Sequence, residues 1–195
     1  MNLEEYNKVK DFTYLEYCDY LQKKYGIGRA DYMTKGYNKQ PKCSRTKDGL
    51  WAHHKFENLY TNLSNKDFAI NLPFEYQLAK NIIYCDFLEH LFLHILIMEN
   101  PNYKKAGIGG IIFITPDLND FYSGFNTSQE WKKKSYEIVK DDEPVYLTLV
   151  RRFLTKCGKK EKETRLLMVS GSASSKYGLW DEIKNERIYN IIKTF

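Results

Sequence analysis

Histidine is the residue type in this chain whose number and spacing point most directly to chemistry. The 195 residues include four histidines, in two pairs: the adjacent His53 and His54, and His90 with His94. On a helix, residues four apart share one face, with Cβ atoms roughly 6 Å apart, which suits two imidazoles binding one metal ion. The positions around His90 and His94 are apolar, so two hydrogen-bonded core histidines remain the competing interpretation of this pair taken alone.

Local patterns predict the elements that would position these histidines. Gly49–His54 reads as a short strand that ends on the histidine doublet, and Asn81–Cys85 is a second apolar run with β propensity. Asp86 then starts a helical pattern that carries the other pair and ends at Asn100 and Pro101. Residues 55–78 form a long connection with room for one helical turn. The predicted order is strand, loop, strand, helix.

That order and its residues resemble the HNH (ββα-metal, His-Me finger) endonuclease superfamily, most of all the DNase domains of nuclease colicins. The shared signature is HH…N…H…H, with nine residues from Asn81 to His90 and four more to His94. The resemblance covers Leu50–Met98, about a quarter of the chain, and it uses all four histidines. The gap between the doublet and Asn81 is longer than in compact members.

The resemblance implies a role for each of five residues. His53, His90 and His94 would bind one divalent metal, His54 would be the general base, and Asn81 would fix the orientation of the base's ring. Three imidazoles favour zinc or another transition metal at rest, while magnesium or manganese remain open for turnover. The implied activity is metal-dependent hydrolysis of phosphodiester bonds in DNA by an endonuclease with one metal ion.

The segments before and after this core have their own predicted elements. Residues 3–25 have helical spacing, with Thr13 as a cap, and residues 26–48 read as an irregular basic loop. Residues 107–115 fit a strand or a buried helix equally well. The last elements are a β-hairpin of Pro144–Thr155 and Thr164–Ser170, joined by the charged turn Lys156–Glu163, and a terminal helix over Trp180–Lys193.

The expected fold is therefore α+β: a ββα-metal (HNH) core with N-terminal helices and a C-terminal β-hairpin plus helix. The length of 195 residues suits a single domain over 1–195. Within it we expect the HNH core at 49–99, an N-terminal helical and basic segment at 1–48, and a C-terminal accessory segment at 100–195.

Charge is consistent with nucleic acid as the partner without identifying it. The net charge is +5, and basic residues cluster at 35–55, 132–134 and 151–162. Each cluster could neutralise phosphates or simply be a solvated surface. The candidate substrate contacts are Arg45, Lys47, Lys55, Arg151 and Arg152. We expect double-stranded DNA as the partner, and a homodimer is left open.

Cysteine usage and hydropathy narrow the class further. The four cysteines, Cys18, Cys43, Cys85 and Cys157, form no CxxC pair, which argues against a zinc ribbon and favours free thiols. There is no signal-peptide pattern, and the most apolar run, Phe87–Met98, is too short for a bilayer. We therefore expect a soluble, cytoplasmic protein.

Two alternatives to a DNA endonuclease remain open from the sequence. The same core would serve a ribonuclease or a toxin nuclease, and nothing in the residues separates these from a DNase. The second alternative is a non-enzymatic module that holds a metal for stability and binds nucleic acid or another protein. The doublet's second histidine, His54, and Asn81 favour catalysis, because a purely structural metal site needs neither.

Overall fold

Two N-terminal helices precede the strands that hold the histidine doublet. The computed structural model of the chain describes residues 1–103, 106–124, 129–156, 159–173 and 182–195. Helix α1 spans Leu3–Val9 and α2 spans Tyr14–Tyr25. Thr13 caps α2 in a capping box, in which its backbone N–H donates to Glu16 Oε2 at 2.8 Å. The predicted helical segment and its cap are confirmed.

The two predicted strands form an antiparallel hairpin with a long connection. Strand β1 (Trp51–His54) pairs with β2 (Ile82–Cys85), so that His53 lies opposite Ile83. The basic segment before β1 is irregular, as predicted, with two 3₁₀ turns at 41–43 and 46–48. The connection after β1 contains one short helix, α3 (Lys66–Ala69), and 3₁₀ turns at 74–77 and 79–81.

Helix α4, Phe87–Glu99, follows the hairpin at once and runs through the centre of the molecule. Asp86 caps it, and Glu89 completes a capping box. The Glu89 backbone N–H donates to Asp86 Oδ1 at 2.8 Å. Every residue from Phe87 to Met98 is buried except His90, because other elements cover the helix on nearly all sides. The predicted start and end of this helix are confirmed.

The described residues after α4 form helices joined by turns, and the predicted C-terminal β-hairpin is wrong. The helices are α5 (Ile108–Tyr122), α6 (Glu130–Val139), α7 (Glu143–Thr155), α8 (Lys159–Val169) and α9 (Glu182–Ile192). Pro144–Thr155 therefore lies in α7, and Thr164–Ser170 lies almost entirely in α8. The stretch 107–115, undecided from the sequence, is the N-cap Gly107 followed by the first half of α5. The predicted terminal helix is confirmed over 182–192, while Trp180 lies outside the described residues.

Helical spacing explains the error at α7. Its buried residues come in adjacent pairs that recur every four positions: Val145 and Tyr146, Leu149 and Val150, Phe153 and Leu154. Such a stripe lies on one face of a helix, and α7 packs it against α4. The residue types of the segment favour a strand, whereas the spacing of its buried residues specifies a helix. Pro144, in the first turn, also suits a helix start.

Close packing of α5 on α4 depends on two glycines. A Cβ added at Gly107 would overlap the carbonyl oxygen of His94, and one added at Gly110 would overlap the His94 ring. Gly109, between them, is exposed and has open space around its Cβ position. The absence of side chains at Gly107 and Gly110 is therefore what lets α5 approach α4 at His94.

Among the residues that the structure describes, no helix is long and apolar enough to cross a membrane. Even α4, the most deeply buried helix, has 13 residues, whereas a bilayer requires about 20 apolar ones. The burial of α4 is instead explained by the helices α2, α5, α6 and α7 and the hairpin that pack around it.

The glycine packing predicts opposite effects of the same substitution at neighbouring positions. Gly107→Ala should lower the free energy of unfolding by about 2–3 kcal/mol, because the new methyl group meets the α4 backbone. Gly109→Ala should raise it by roughly 0.5–1 kcal/mol through helix propensity. Urea unfolding of both variants checks this. Equal stability of the two would contradict the close α4–α5 contact.

Candidate metal centre

Three of the four imidazoles meet at the end of the hairpin. His53 comes from the end of β1, while His90 and His94 come from successive turns of α4. One possible ligand atom from each lies within 4.8 Å of the other two. The Nε2 atoms of His90 and His94 are 3.2 Å apart. The i,i+4 pair thus faces the strand end, as a shared metal site requires, and the group could hold one ion.

Tyr14, at the start of α2, determines which nitrogen of His53 points into the site. Its hydroxyl oxygen lies 2.9 Å from His53 Nε2 and 3.1 Å from the Lys55 carbonyl oxygen. A carbonyl can only accept, so the hydroxyl that donates to it accepts from an Nε2–H of His53. This arrangement satisfies both contacts and leaves a lone pair on His53 Nδ1. A second polar contact of this kind commonly orients a metal-binding histidine.

Burial keeps these imidazoles in the neutral form that binds metals. Desolvation lowers the pKa of His53 to about 3, helped by the nearby His94 and His54 and opposed by Glu57. Desolvation also holds the pKa of His90 well below its usual range and lowers that of His94. The rings are therefore uncharged at neutral pH and keep a lone pair for a cation.

The unpaired nitrogens of the cluster test whether a metal fits. The Nδ1 atoms of His53, His90 and His94 are buried and have no hydrogen-bond partner among the described residues. A buried polar atom without a partner costs about 1–3 kcal/mol. An ion bound at His53 Nδ1 would remove the cost at that atom, and the facing Nε2 atoms of His90 and His94 would supply the other two donors. The donor set, three neutral imidazoles, suits zinc or another transition metal better than magnesium.

His54 adjoins the cluster through a different set of contacts. Its Nε2 lies 3.3 Å from Gln77 Oε1, and the Gln77 amide in turn donates from Nε2 to the Leu63 carbonyl at 3.1 Å. That second contact fixes which amide atom faces His54, so His54 Nε2 carries the proton. Its ring also packs against Tyr32, with centroids 4.4 Å apart. The free lone pair of His54 is therefore on Nδ1.

Glu57 lies between His54 and the three-histidine cluster. Its Oε1 is 3.5 Å from His54 Nδ1, and its Oε2 is 3.5 Å from His53 Nδ1 and 3.7 Å from His94 Nε2. Burial opposes ionisation of this carboxyl, and the positive charge that lowers its pKa has to come from protonated His53, His54 or His94, or from a cation held between them. Glu57 is thus a carboxylate in contact with both parts of the site.

Asn81 lies beside the strands and holds backbone. Its side-chain Nδ2 donates to the Glu75 carbonyl at 2.8 Å, and its own carbonyl accepts from the Lys55 N–H at 2.8 Å. The ring of His54 is instead held by Gln77. Asn81 thus orients the residue after His54 through the backbone, whereas the direct contact with the ring comes from a residue four positions earlier.

The candidate substrate contacts before and after β1 differ in whether their charges are already in ion pairs. Arg45 is paired with Asp48 at 2.8 Å, and Lys55 is paired with Asp19 at 2.7 Å, so its side chain lies against α2. Lys47 is exposed. Of these three, only Lys47 has no ion pair among the described residues. A phosphate at Arg45 or Lys55 would have to compete with a carboxylate.

The two arginines of α7 have different surroundings. Arg152 donates from Nε and Nη2 to the two carboxylate oxygens of Glu99, both at 2.7 Å, and from Nη1 to the Lys10 carbonyl. It thereby ties α7 to the end of α4 and to the end of α1. Arg151 is exposed and lies over the Phe195 ring at 4.4 Å. Arg152 is therefore committed to the fold, and Arg151 is open to solvent.

Three residues of the site have little or no signal in the sequence. Tyr14 lies 39 residues before His53, and Gln77 lies 23 after His54, so only folding brings them to the rings. Glu57 has a weak signal, since it follows the doublet by three residues and its N–H donates to the His54 carbonyl in the same turn. That spacing identifies Glu57 as a residue that could orient a histidine, and only the folded chain places it between both parts of the site.

Comparison with known proteins found no relative of this chain. No family model, no curated protein and no solved structure matches the chain. What the site does has to be inferred from its own side chains. Those are three convergent neutral imidazoles, a fourth imidazole with a free Nδ1, and the carboxylate of Glu57 between them.

The cluster predicts that the protein binds a metal ion at these histidines and that binding raises the free energy of unfolding. Adding Zn²⁺ at about 100 times its Kd should raise the free energy of unfolding by about 2.7 kcal/mol. His90→Ala should abolish most of that increase, since one of three imidazole donors is lost. His54→Ala is the matched control and should keep it. Thermal unfolding with and without EDTA measures the effect, and equal responses of the two variants would refute the ligand set.

Proposed function

We propose that this protein is a metal-dependent endonuclease of the HNH type that hydrolyses phosphodiester bonds in DNA. The support is the antiparallel hairpin that ends on a histidine doublet and runs directly into a helix carrying two more histidines. This is the order that the sequence resemblance implies. The convergence of His53, His90 and His94, with His54 beside them, is the observation that carries the proposal.

The first requirement of this chemistry is a cation held close to a base. His53, His90 and His94 would hold the ion, and Tyr14 keeps the lone pair of His53 Nδ1 directed at it. When bound, the ion supplies Lewis-acid stabilisation of charge on the phosphate and on the leaving 3′-oxygen. The rings need no deprotonation to bind it, since burial already keeps them neutral.

The second requirement is a base that can take a proton from the attacking water. His54 Nδ1 has a free lone pair, and Gln77 holds the opposite nitrogen as N–H, so the ring accepts at one defined atom. The carboxylate of Glu57, 3.5 Å from that atom, stabilises the imidazolium that results. The arrangement is a base, a group that orients it and an anion that compensates its charge.

Access to the site is from the side of Glu57 and His90. Glu57 is 19% exposed and His90 is partly exposed, whereas His53 and His54 are almost completely buried. A phosphate would therefore reach the ion past Glu57. The overall charge of +5 favours a polyanionic substrate, and Lys47 and Arg151 offer exposed cations.

The nuclease proposal predicts that one substitution separates metal binding from catalysis. His54→Ala should keep bound metal but lower the rate of plasmid nicking by about 10²–10⁴-fold, because general-base catalysis contributes that much. Nicking should also stop when EDTA removes the ion. The assay follows conversion of supercoiled to open-circular plasmid with Zn²⁺, Ni²⁺, Mn²⁺ and Mg²⁺ in turn. A His54→Ala protein that nicks plasmid as fast as wild type would contradict His54 as the general base.

A non-enzymatic, metal-stabilised module is the second candidate, and burial of the site favours it. His53, His54 and His94 are at most 6% exposed. Structural metal sites are closed, whereas catalytic ones keep a position for substrate. The same experiments separate the two functions. A protein that binds zinc through His90 but cleaves neither DNA nor RNA with any of the four ions would support the structural role.

A further inference from the structure

The turn after β1 brings one carboxylate to both parts of the site. The Glu57 N–H donates to the His54 carbonyl at 3.0 Å, which folds the chain back over the strand end. The two carboxylate oxygens then face different groups. Oε1 faces His54 Nδ1, and Oε2 faces His53 Nδ1 and His94 Nε2, all at 3.5–3.7 Å. These distances are too long for strong hydrogen bonds.

The atoms that Glu57 faces are lone pairs. His53 gives its Nε2 proton to Tyr14, and His54 gives its own to Gln77, so both Nδ1 atoms are acceptors. Neither Nδ1 has a hydrogen-bond partner among the described residues. An anion that faces two lone pairs is repelled by them. A cation between His53, His94 and Oε2 converts this repulsion into three favourable contacts.

Three of the separations between the donors match those of one small ion. A tetrahedral zinc site with bonds of about 2.0–2.2 Å separates its donors by roughly 3.3–3.6 Å. The observed separations are 3.2 Å between the Nε2 atoms of His90 and His94, 3.5 Å from Oε2 to His53 Nδ1, and 3.7 Å from Oε2 to His94 Nε2. Oε2 therefore lies near the fourth position of a tetrahedral site whose other three positions are imidazole nitrogens.

We propose that Glu57 is the fourth protein donor of this centre, through Oε2, and that it couples the ion to His54 through Oε1. The inference rests on the three-histidine site of the proposed function. Glu57 is the donor on the solvent side, since 19% of it is exposed. Zinc can extend from four to five ligands, so a phosphate oxygen can add on this side while the carboxylate stays in place.

Spectroscopy of the cobalt-substituted protein tests this role without relying on activity. The visible bands of Co²⁺ depend on the number and type of its ligands. Glu57→Gln should weaken Zn²⁺ binding by at least about tenfold, measured in competition with a chromophoric chelator, and should shift the Co²⁺ bands. Glu75→Gln is the matched control. That glutamate is 57% exposed, lies on the same connection and pairs with Lys80, so its substitution should change neither.

A second variant guards against misfolding of the first. Glu57→Ala opens the corner that Oε2 occupies, and added acetate should restore the wild-type Co²⁺ bands in this variant while leaving the wild-type spectrum unchanged. Circular dichroism without metal checks that both variants are folded. A carboxylate that merely supports the fold would alter the metal-free melting temperature and leave the spectrum of bound Co²⁺ as it was.

The outcomes for Glu57 and for the nuclease proposal can be told apart. If wild type binds Co²⁺ through His90 but Glu57→Gln has the same affinity and spectrum, the fourth-donor role is wrong and the three-histidine site stands. If wild type binds no Co²⁺ at all, both fail together. If Glu57→Gln loses affinity and its bands shift, the role is supported whether or not the protein cleaves DNA.

Discussion

The burial of several imidazoles against the central helix is the constraint on which the rest of this site depends. Each ring has two nitrogens that need partners, and water is excluded from most of them. The fold meets part of this requirement with distant side chains: Tyr14 from α2 serves His53, and Gln77 from the connection serves His54. Of the other nitrogens, the Nε2 atoms of His90 and His94 face each other, and the Nδ1 atoms of His53 and His54 face Glu57. A cation is the partner that this arrangement lacks.

Positioning those rings places further demands on the surrounding elements. His94 faces α5, and its ring fits only because Gly110 has no side chain. The start of α4 is fixed by the Asp86 capping box, which sets the rotation of the helix and hence the direction of His90 and His94. Glu89 of the same box is buried and paired with Lys24 at 2.7 Å, which ties α2 to α4. The helix that carries two ligands is therefore held at its start, along its side and at Glu99.

Much of the core was predictable because its signals are local. A cap followed by helical spacing identified α2 and α4, and two short β-prone runs identified the strands. The i,i+4 spacing of His90 and His94 predicted a shared face, and the structure brings His53 to that face. None of these predictions required knowledge of which segments meet. The pairing of the strands was implied by the resemblance to a ββα-metal core, and the structure has the two strands antiparallel.

The partners of the rings were not predictable, because they are contacts between segments far apart in the chain. Tyr14 stands in a helix whose own pattern explains it as a core residue, and Gln77 stands in a 3₁₀ turn with no motif. Charge was equally uninformative at Arg152, a predicted phosphate contact that pairs with Glu99 in the structure. At α7 the residue types favoured a strand, while their spacing, the stronger physical signal, specified a helix.

The closed character of the site bears on how it could work. A centre with three imidazoles and a carboxylate has no vacant corner in four-coordinate geometry, which is the usual state of a structural ion. Yet a purely structural ion would not need His54, whose free Nδ1 faces the same carboxylate from the other side. Burying that lone pair lowers the stability of the fold. Metal binding by His53, His90 and His94 does not offset this loss, because His54 is not a ligand. The cost is accounted for if His54 accepts a proton, with Glu57 balancing the charge that it then carries.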